Sequence, residues 1–345
     1  MLNTWDEHFM QRALQLAQLG MGQVAPNPMV GCVIVHDNQI IGEGWHQRYG
    51  QAHAEVVALN SVTERHLLPK ATVYVTLEPC SHYGKTPPCA DRLIQEKVKR
   101  IVVCNDDPNP LVAGKGFQKL RDAGIEVVRG ILANQGRFIN RRFFTYFEQN
   151  RPYVILKWAE TADGFLAAPD YLPIQISNAL SKRLVHKWRS EEAAIWVGTN
   201  TARQDNPHLN VRLWQGRNPL RVVLDRQLSL PNSLHLFDDS QPTLIFNTRE
   251  EKQVGATNYV IPAEWAITGF LETLRKCSLQ SVLVEGGTRL LESFLEAGMW
   301  DEIRLFRSPK RIHAGITAPR FEATLISTDY LLADELTIWS NPLTA

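Results

Sequence analysis

Four residues in the first third of the chain have the types and spacing for hydrolytic chemistry. They are His53 and Glu55 in His-Ala-Glu, and Cys80 and Cys89 in TLEPCSHYGKTPPCAD, residues 76–91. The two thiols bracket eight residues that include His82, Lys85 and a Pro87-Pro88 pair. A disulfide, a metal clip and a loop that shapes a substrate site are all open at this level. One imidazole and two thiolates make three zinc ligands and leave a fourth position for water, as a catalytic zinc site requires. Such a metal brings the water's pKa to about 7. Glu55, held near without ligating, would then shuttle protons.

These side chains need elements to hold them. VGCVIVHDNQIIGEGWH reads as a hairpin turning at Asp37-Asn38, HAEVVALN opens a helix, and ATVYVTLEP is a buried strand ending at Pro79-Cys80. CADRLIQEKV is a helix that starts at Cys89, VKRIVVCND and AGIEVVRG are strands, and GKGFQKLRDAG is the helix between them. The alternation predicts a three-layer α/β domain with βαβ units. Residues 131–150 predict a connecting helix whose stripe, Phe138, Phe143, Phe144 and Phe147, is expected to pack at a domain junction. Arg151-Pro152 breaks that helix. A second α/β domain follows, with strands in PYVILKWAETADGFLA, AAIWVGTN, PLRVVLD, PTLIFNT, SVLVEGG and DEIRLFR. Its helices are SNALSKRLVHKWRSEE and TRLLESFLEAG. The expected domains are 1–148 and 149–345.

Bulk properties narrow the partners. The chain has 345 residues, enough for two cores, and a net charge of +1, which gives no global attraction to nucleic acid or anionic membrane. MLNTWDEHFMQRALQLAQLG carries Asp6 and Glu7 where a signal peptide needs a basic start, and reads as an amphipathic helix with Phe9, Ala13, Leu16 and Ala17 on one face. No apolar run approaches the roughly 20 residues of a membrane span. Five cysteines cannot all pair, and their spacing is not that of a secreted scaffold. A reduced, cytoplasmic protein is expected, which counts against a Cys80–Cys89 disulfide. Cys32 and Cys104 lie in apolar strands and read as core thiols; Cys277 ends a helix.

His-x-Glu followed by Pro-Cys-x-x-Cys is the arrangement of zinc-dependent nucleobase deaminases. Here the second spacing is stretched from two residues to eight. With that loop, PNPMVGCVIV, HAEVVAL, TLEPCSHYGKTPPCADRLI and DDPNPLVAGKGFQKLRDAGIEV resemble the deaminase half of the bifunctional riboflavin-biosynthesis deaminase/reductase family. The resemblance implies a cytidine-deaminase-like three-layer domain. It also implies a diaminopyrimidinone substrate with a ribosylamino 5'-phosphate, deaminated at the exocyclic ring amine. His53, Cys80 and Cys89 would hold one Zn2+ per chain, and Asn27, His46, His82, Lys85, Asp107 and Asn109 would contact the substrate. A loop lysine suits phosphate. Asn and Asp side chains suit ring edges and ribose hydroxyls, although Asn27 and Asn109, each before a proline, also fit ordinary turns.

In the second domain SVLVEGGTRLLESF passes from a strand through Gly286-Gly287 into a helix, a place where backbone can approach phosphate. It is not GxGxxG, so a Rossmann site is not indicated. KWAETADG, with Asp163-Gly164, and WRSEEAAIWVGTNTARQDNPHLNVR resemble the reductase half of the same family. That half implies a dihydrofolate-reductase-like fold and NADPH. By position, Ala159, Thr201, Asp205, Gly287, Thr288 and Arg289 would contact NADPH, and Arg189, Leu209, Arg212 and Glu285 the substrate. Arg189 and Arg212 are expected to grip the 5'-phosphate together. Hydride would pass to C1' of the ribose, giving a ribityl chain.

AAPDYLPIQIS replaces the family's usual Gly-Glu-Ser-x-Trp run, with Pro173 and Gln175 in the Ser and Trp positions, and RSPKRIHAGITAPRF replaces an apolar, glycine-containing segment. An active deaminase with a degenerate, ligand-binding or oligomerising second domain is the alternative. A zinc-stabilised nucleic-acid-binding or tRNA-editing protein is a further one, disfavoured by the charge. A small-molecule substrate and a homo-oligomer, dimer or tetramer, are expected, with no membrane or nucleic-acid partner.

Overall fold

The computed structural model describes residues 4–81, 87–110, 112–169 and 174–343, so His82, Lys85 and Pro173 lie outside the described residues. The chain divides into two compact units, Met1–Gln149 and Asn150–Ala345.

The first unit runs α1 (Thr4–Gln18), β1 (Gly31–His36), β2 (Gln39–Trp45), α2 (Ala54–Ser61), β3 (Thr72–Leu77), α3 (Cys89–Gln95), β4 (Arg100–Asn105), α4 (Lys115–Asp122), β5 (Glu126–Arg129), α5 (Ala133–Ile139) and α6 (Arg141–Glu148). Its five-stranded sheet has the order β2-β1-β3-β4-β5. The hairpin turn places Asp37 and Asn38 at φ 47° and 59°, the left-handed pair that a two-residue hairpin needs. From β3 onward the strands are parallel, as crossover helices require.

Alternation sorts the central strands onto two faces. Cys32, Ile34, Val73, Val75, Ile101 and Val103 pack with Ala58 of α2, Leu93 of α3 and Phe117 of α4. Val33, Val35, Tyr74, Val102 and Cys104 pack with Phe9, Ala13 and Ala17 of α1 and Ile139 of α5. Both faces being covered, these strands read as continuous apolar runs. Buried Asp6 ties α1 to the sheet, accepting from Tyr74 Oη at 2.9 Å and from two nitrogens of Arg100 at 2.8 Å.

The expected single helix over 131–150 is two helices broken at Asn140. Asn140 turns its amide onto Met29, accepting from the Met29 N–H and donating to the Met29 carbonyl at 2.8 Å each. Phe143 and Phe144 pack on Leu77 inside the first unit, whereas Phe138 is 55 % exposed beneath Arg141. Phe147 packs against the same cluster, its ring 4.9 Å from that of Phe143, so three of the four aromatics gather within the first unit.

The second unit runs β6 (Tyr153–Thr161), β7 (Phe165–Ala167), α7 (Ala179–Glu191), β8 (Ala194–Val197), α8 (Thr199–Asp205), β9 (Leu220–Leu224), β10 (Thr243–Phe246), β11 (Lys252–Val254), β12 (Thr257–Val260), α9 (Ile267–Lys276), β13 (Ser281–Glu285), α10 (Thr288–Glu296), β14 (Glu302–Ser308), β15 (Ile316–Thr317), β16 (Thr324–Leu331) and β17 (Asp334–Ser340). Its ten-stranded sheet has the order β11-β12-β10-β9-β8-β13-β6-β14-β17-β16, parallel from β12 to β14 with antiparallel strands at both edges. Trp196, Phe246, Phe270 and Phe294 centre the core beneath α9 and α10. Val185 and Trp188 of α7 cover Ile155, Leu283 and Phe306 on the other face.

Candidate active sites

In the first unit each sulfur or nitrogen donor stands at the end of an element. His53 is the N-cap residue of α2 (φ −72°, ψ 162°), Cys80 follows β3, and Cys89 is the first residue of α3. His53 Nδ1 lies 3.6 Å from Cys80 Sγ and 3.3 Å from Cys89 Sγ, and the Cys89 N–H donates to Cys80 Sγ at 3.3 Å. All three donor atoms fall within 4.8 Å of one another. Zinc–nitrogen and zinc–sulfur bonds of about 2.0 and 2.3 Å at tetrahedral angles place such donors about 3.6 Å apart, so these residues fit the metal. Both cysteines are free thiols rather than a disulfide.

Charge at this cluster is shared unevenly. Cys80 is drawn down to about 4, by hydrogen bonding with Cys89 first and then by His53, while Cys89 is pushed up by the same coupling and by burial. A bound dication holds both sulfurs as thiolates. Glu55, 4 % exposed, is raised to about 7 by burial first and by the Cys80 charge second. A carboxyl near 7 can take and return a proton at neutral pH.

Around the cluster, His46 donates from Nδ1 to the Ala52 carbonyl at 3.0 Å, leaving Nε2 to accept from Asn27 Nδ2 at 3.1 Å. Burial lowers the His46 pKa, which keeps this ring neutral, and it meets the His53 ring edge-on at 5.6 Å. The Asn27 carbonyl oxygen is thereby turned away from His46. Asp107 accepts the Asn109 N–H at 2.8 Å and is raised to about 6, by burial first and also by the Glu78 and Cys80 charges. The structure thus gathers Asn27, His46 and Asp107 about the donor set, with Asn109 beside Asp107. Sequence reading missed Glu78 and Asn140. A carboxylate closing a buried apolar strand was the one available signal for Glu78.

In the second unit the site lies at the carboxyl ends of parallel strands, where open α/β sheets bind ligands. Gly286 and Gly287, at φ 90° and 79°, lead from β13 into α10, and a Cβ on either would come within 3.4 or 3.1 Å of Thr201. Thr201 and the Gly287–Thr288 turn therefore face each other. Arg289, in the first turn of α10, and Asp205, at the end of α8, are exposed, while Ala159 is half-buried on β6.

Glu285 accepts from Nε and Nη2 of Arg189 at 2.8 Å each, with Lys157 Nζ 3.8 Å away. Burial alone would raise its pKa, but Arg189 and Lys157 outweigh that and hold Glu285 at about 2. Arg189 Nη1 donates to the Asn210 carbonyl at 3.2 Å. Three of its five N–H groups are engaged in these contacts, with Arg189 holding Glu285, while Arg212, the other arginine of the expected phosphate grip, is exposed. The Arg212 N–H donates to His186 Nδ1 at 3.2 Å, and its Nη1 donates to Asn210 Oδ1 at 3.0 Å. Leu209, buried at φ 52°, starts this loop. Lys157 was not singled out from the sequence because it sits in an otherwise apolar strand.

The two stretches that depart from the family pattern meet in space. Lys310 Nζ donates to the Gln175 carbonyl, and β15 pairs with β7. Asp163 accepts the N–H groups of Ile312 and His313 at 3.1 and 2.9 Å, clipping the same segment. A second donor cluster among the described residues, His208, His235 and Asp238, does not suit a metal. Its rings stack at 3.6 Å and 23°, so their in-plane lone pairs do not converge, and Arg221 occupies Asp238.

Residues 3–105 match the cytidine and deoxycytidylate deaminase zinc-binding region, and residues 152–322 match the RibD C-terminal domain. The riboflavin biosynthesis protein RibD of Aquifex aeolicus is 40 % identical over 324 residues, 92 % of this chain and 90 % of that protein. The Escherichia coli RibD is 36 % identical over 325 residues, 88 % of each. Among solved structures, a diaminohydroxyphosphoribosylaminopyrimidine deaminase/5-amino-6-(5-phosphoribosylamino)uracil reductase from Thermotoga maritima superposes with a TM-score of 0.89 at 34 % identity, over 98 % of this chain and 99 % of its own. Acinetobacter baumannii RibD gives 0.90 at 34 % identity, over 97 % of this chain and 98 % of its own.

Proposed function

The chain belongs to the RibD family of bifunctional riboflavin-biosynthesis deaminases and reductases, and from that premise we propose how its residues divide the work. The enzyme deaminates 2,5-diamino-6-(5-phosphoribosylamino)pyrimidin-4-one with zinc and then reduces the ribosyl group to a ribityl chain with NADPH. The observation that carries the first step is the convergence of His53, Cys80 and Cys89 beside buried Glu55. His53, Cys80 and Cys89 would hold zinc, which when bound would supply a water activated for attack at neutral pH. Glu55 would carry a proton from the attacking water to the departing amine, so that ammonia leaves. Asn27, His46, Asp107 and Asn109, with His82 and Lys85 from the loop between the cysteines, read the pyrimidine and the ribose phosphate.

In the second unit NADPH supplies the hydride for C1' of the ribosyl group. Ala159, Thr201, Asp205, Gly287, Thr288 and Arg289 line its place, where the Gly286-Gly287 turn lets backbone approach. Glu285, kept ionised by Arg189 and Lys157, faces the sugar together with Leu209, and Arg212 takes the 5'-phosphate. The alternative of a degenerate second domain finds no support in Glu285, Arg189 and Lys157, which form a complete buried charge set.

A homo-oligomer, dimer or tetramer, fits the outer strand β16, which among the described residues is a sheet edge that leaves Leu325, Ile326 and Tyr330 exposed. Free cysteines fit a cytoplasmic setting, and no helix among the described residues is long and apolar enough to cross a membrane. Light scattering tests the assembly, and a monomer at micromolar concentration refutes it. Mass analysis of products from the diaminopyrimidine phosphate, with and without NADPH, tests the reaction order. Loss of the amine without NADPH, and a gain of two hydrogens only with it, is the expected result. An amine retained in both arms refutes the first step, and a missing two-hydrogen gain refutes the second.

A further inference from the structure

Glu78 is a buried carboxylate beside the deaminase donor set that neither the metal ligands nor the substrate contacts account for. It follows β3 directly, stands two residues before Cys80 and is 4 % exposed. Its Oε2 accepts from the N–H groups of Asp107 at 3.4 Å and Gly114 at 3.0 Å. Its Oε1 accepts from those of Gly116 at 3.0 Å and Phe117 at 3.4 Å. Among the described residues no cation forms a salt bridge with it, and Arg129 acts on it at longer range.

The donors belong to one connection. Asp107 lies just after β4, while Gly114 is the N-cap residue of α4 and Gly116 and Phe117 lie in its first turn. First-turn N–H groups have no partner within their own helix, and the helix start favours an anion. Glu78 meets both needs from inside the fold and holds the connection at its two ends. The fit is close: a Cβ on Gly116 would stand 2.2 Å from the Pro79 carbonyl oxygen and 3.1 Å from Glu78 Oε1. Glu78 is also fixed at its own backbone, its N–H donating to the Asn105 carbonyl at 3.0 Å. The connection it holds carries Asp107 and Asn109.

We propose that Glu78 is a positioning residue for the deamination, tying the Cys80 end of β3 to both ends of the β4–α4 connection and so setting where Asp107 and Asn109 stand relative to the metal ligands. The inference rests on the deaminase reading above. A carboxylate suits this place because it offers only acceptors to a ring of donors. Glutamine keeps the shape but turns an NH2 group toward two of those N–H groups.

The test compares full-length wild type with Glu78→Gln for zinc content, deaminase KM and kcat, and reductase turnover of the deaminated substrate. Zinc content and reductase turnover stay at wild-type level, while deaminase KM rises about tenfold and kcat changes less. In an Asp107→Ala background Glu78→Gln adds less than about twofold, because both act through one contact. A wild-type KM in Glu78→Gln, zinc lost in step with kcat, or independent multiplication of the two effects overturns the proposal. If Glu78→Gln does not accumulate folded, Glu78→Asp, which draws the oxygens back by one methylene, carries the same expectations. Wild type inert on the diaminopyrimidine phosphate overturns the activity and this role together; active wild type with an unaltered variant overturns this role alone.

Discussion

His53 Nδ1 stands 3.3 Å from Cys89 Sγ across 36 residues of sequence, with Cys80 Sγ closing the triangle at 3.6 Å from the same nitrogen. A triangle of that size asks for a tetrahedral metal. His53→Ala, Cys80→Ser and Cys89→Ser are each expected to lose zinc and deamination together while the reductase step persists. Glu55→Gln keeps zinc and loses about 10²- to 10⁴-fold in deaminase kcat. Metal analysis alongside product formation checks both, and full deamination by a zinc-free variant sinks the assignment.

Glu285 makes stability depend on acidity. Its pKa is about 2 in the folded chain against 4.5 ordinarily, so the ionised group stabilises the fold fully above the ordinary value. That contribution is lost as pH falls from about 4.5 toward 2. Glu285→Gln also leaves Arg189 and Lys157 buried without their counter-charge, a change that costs about 3–5 kcal/mol for a buried pair. Unfolding followed between pH 7 and pH 3 is expected to show a large deficit for the variant at neutral pH that narrows toward pH 3. A deficit that stays constant with pH contradicts the assignment.

Both donor sets differ in how far the sequence exposed them. His53, Glu55, Cys80 and Cys89 were legible because each stands at the boundary of an element whose apolar run or turn announces it. The sheets were legible for the same reason: β1, β3, β4 and β13 are short apolar runs bounded by turns. What escaped is made by contacts at long sequence separation. Glu78 meets its donors 29 to 39 residues on, and Arg189 meets Glu285 at a separation of 96. No local pattern distinguishes an arginine that holds a carboxylate from one that waits for a phosphate. The β16–β17 hairpin escaped because its outer strand covers no core and so lacks apolar alternation.

Asn140 makes a contact of that long-range kind, 111 residues from Met29. Its amide satisfies both backbone groups of Met29, two residues from Asn27. Asn140→Ala leaves a buried donor and a buried acceptor without partners, a loss of about 2–4 kcal/mol. Asn140→Asp keeps the acceptor and is expected to lose less. Denaturant unfolding of the three proteins measures the ranking, and equal stability of Asn140→Ala and wild type refutes the clip.

Arg212 tests the proposed division of labour in the second unit. Arg189 is engaged by Glu285 and the Asn210 carbonyl, while Arg212 is exposed and anchored through its own backbone to His186. If Arg212 alone takes the 5'-phosphate, Arg212→Ala raises the reductase KM about tenfold or more with kcat nearly unchanged, because uniform binding has been removed. The dephosphorylated substrate should then be handled equally by both proteins. Arg189→Ala, in contrast, unseats Glu285 and lowers kcat for either substrate. Steady-state kinetics on the two substrates separates these roles. An Arg212→Ala penalty that persists without the phosphate returns the phosphate contact to another residue.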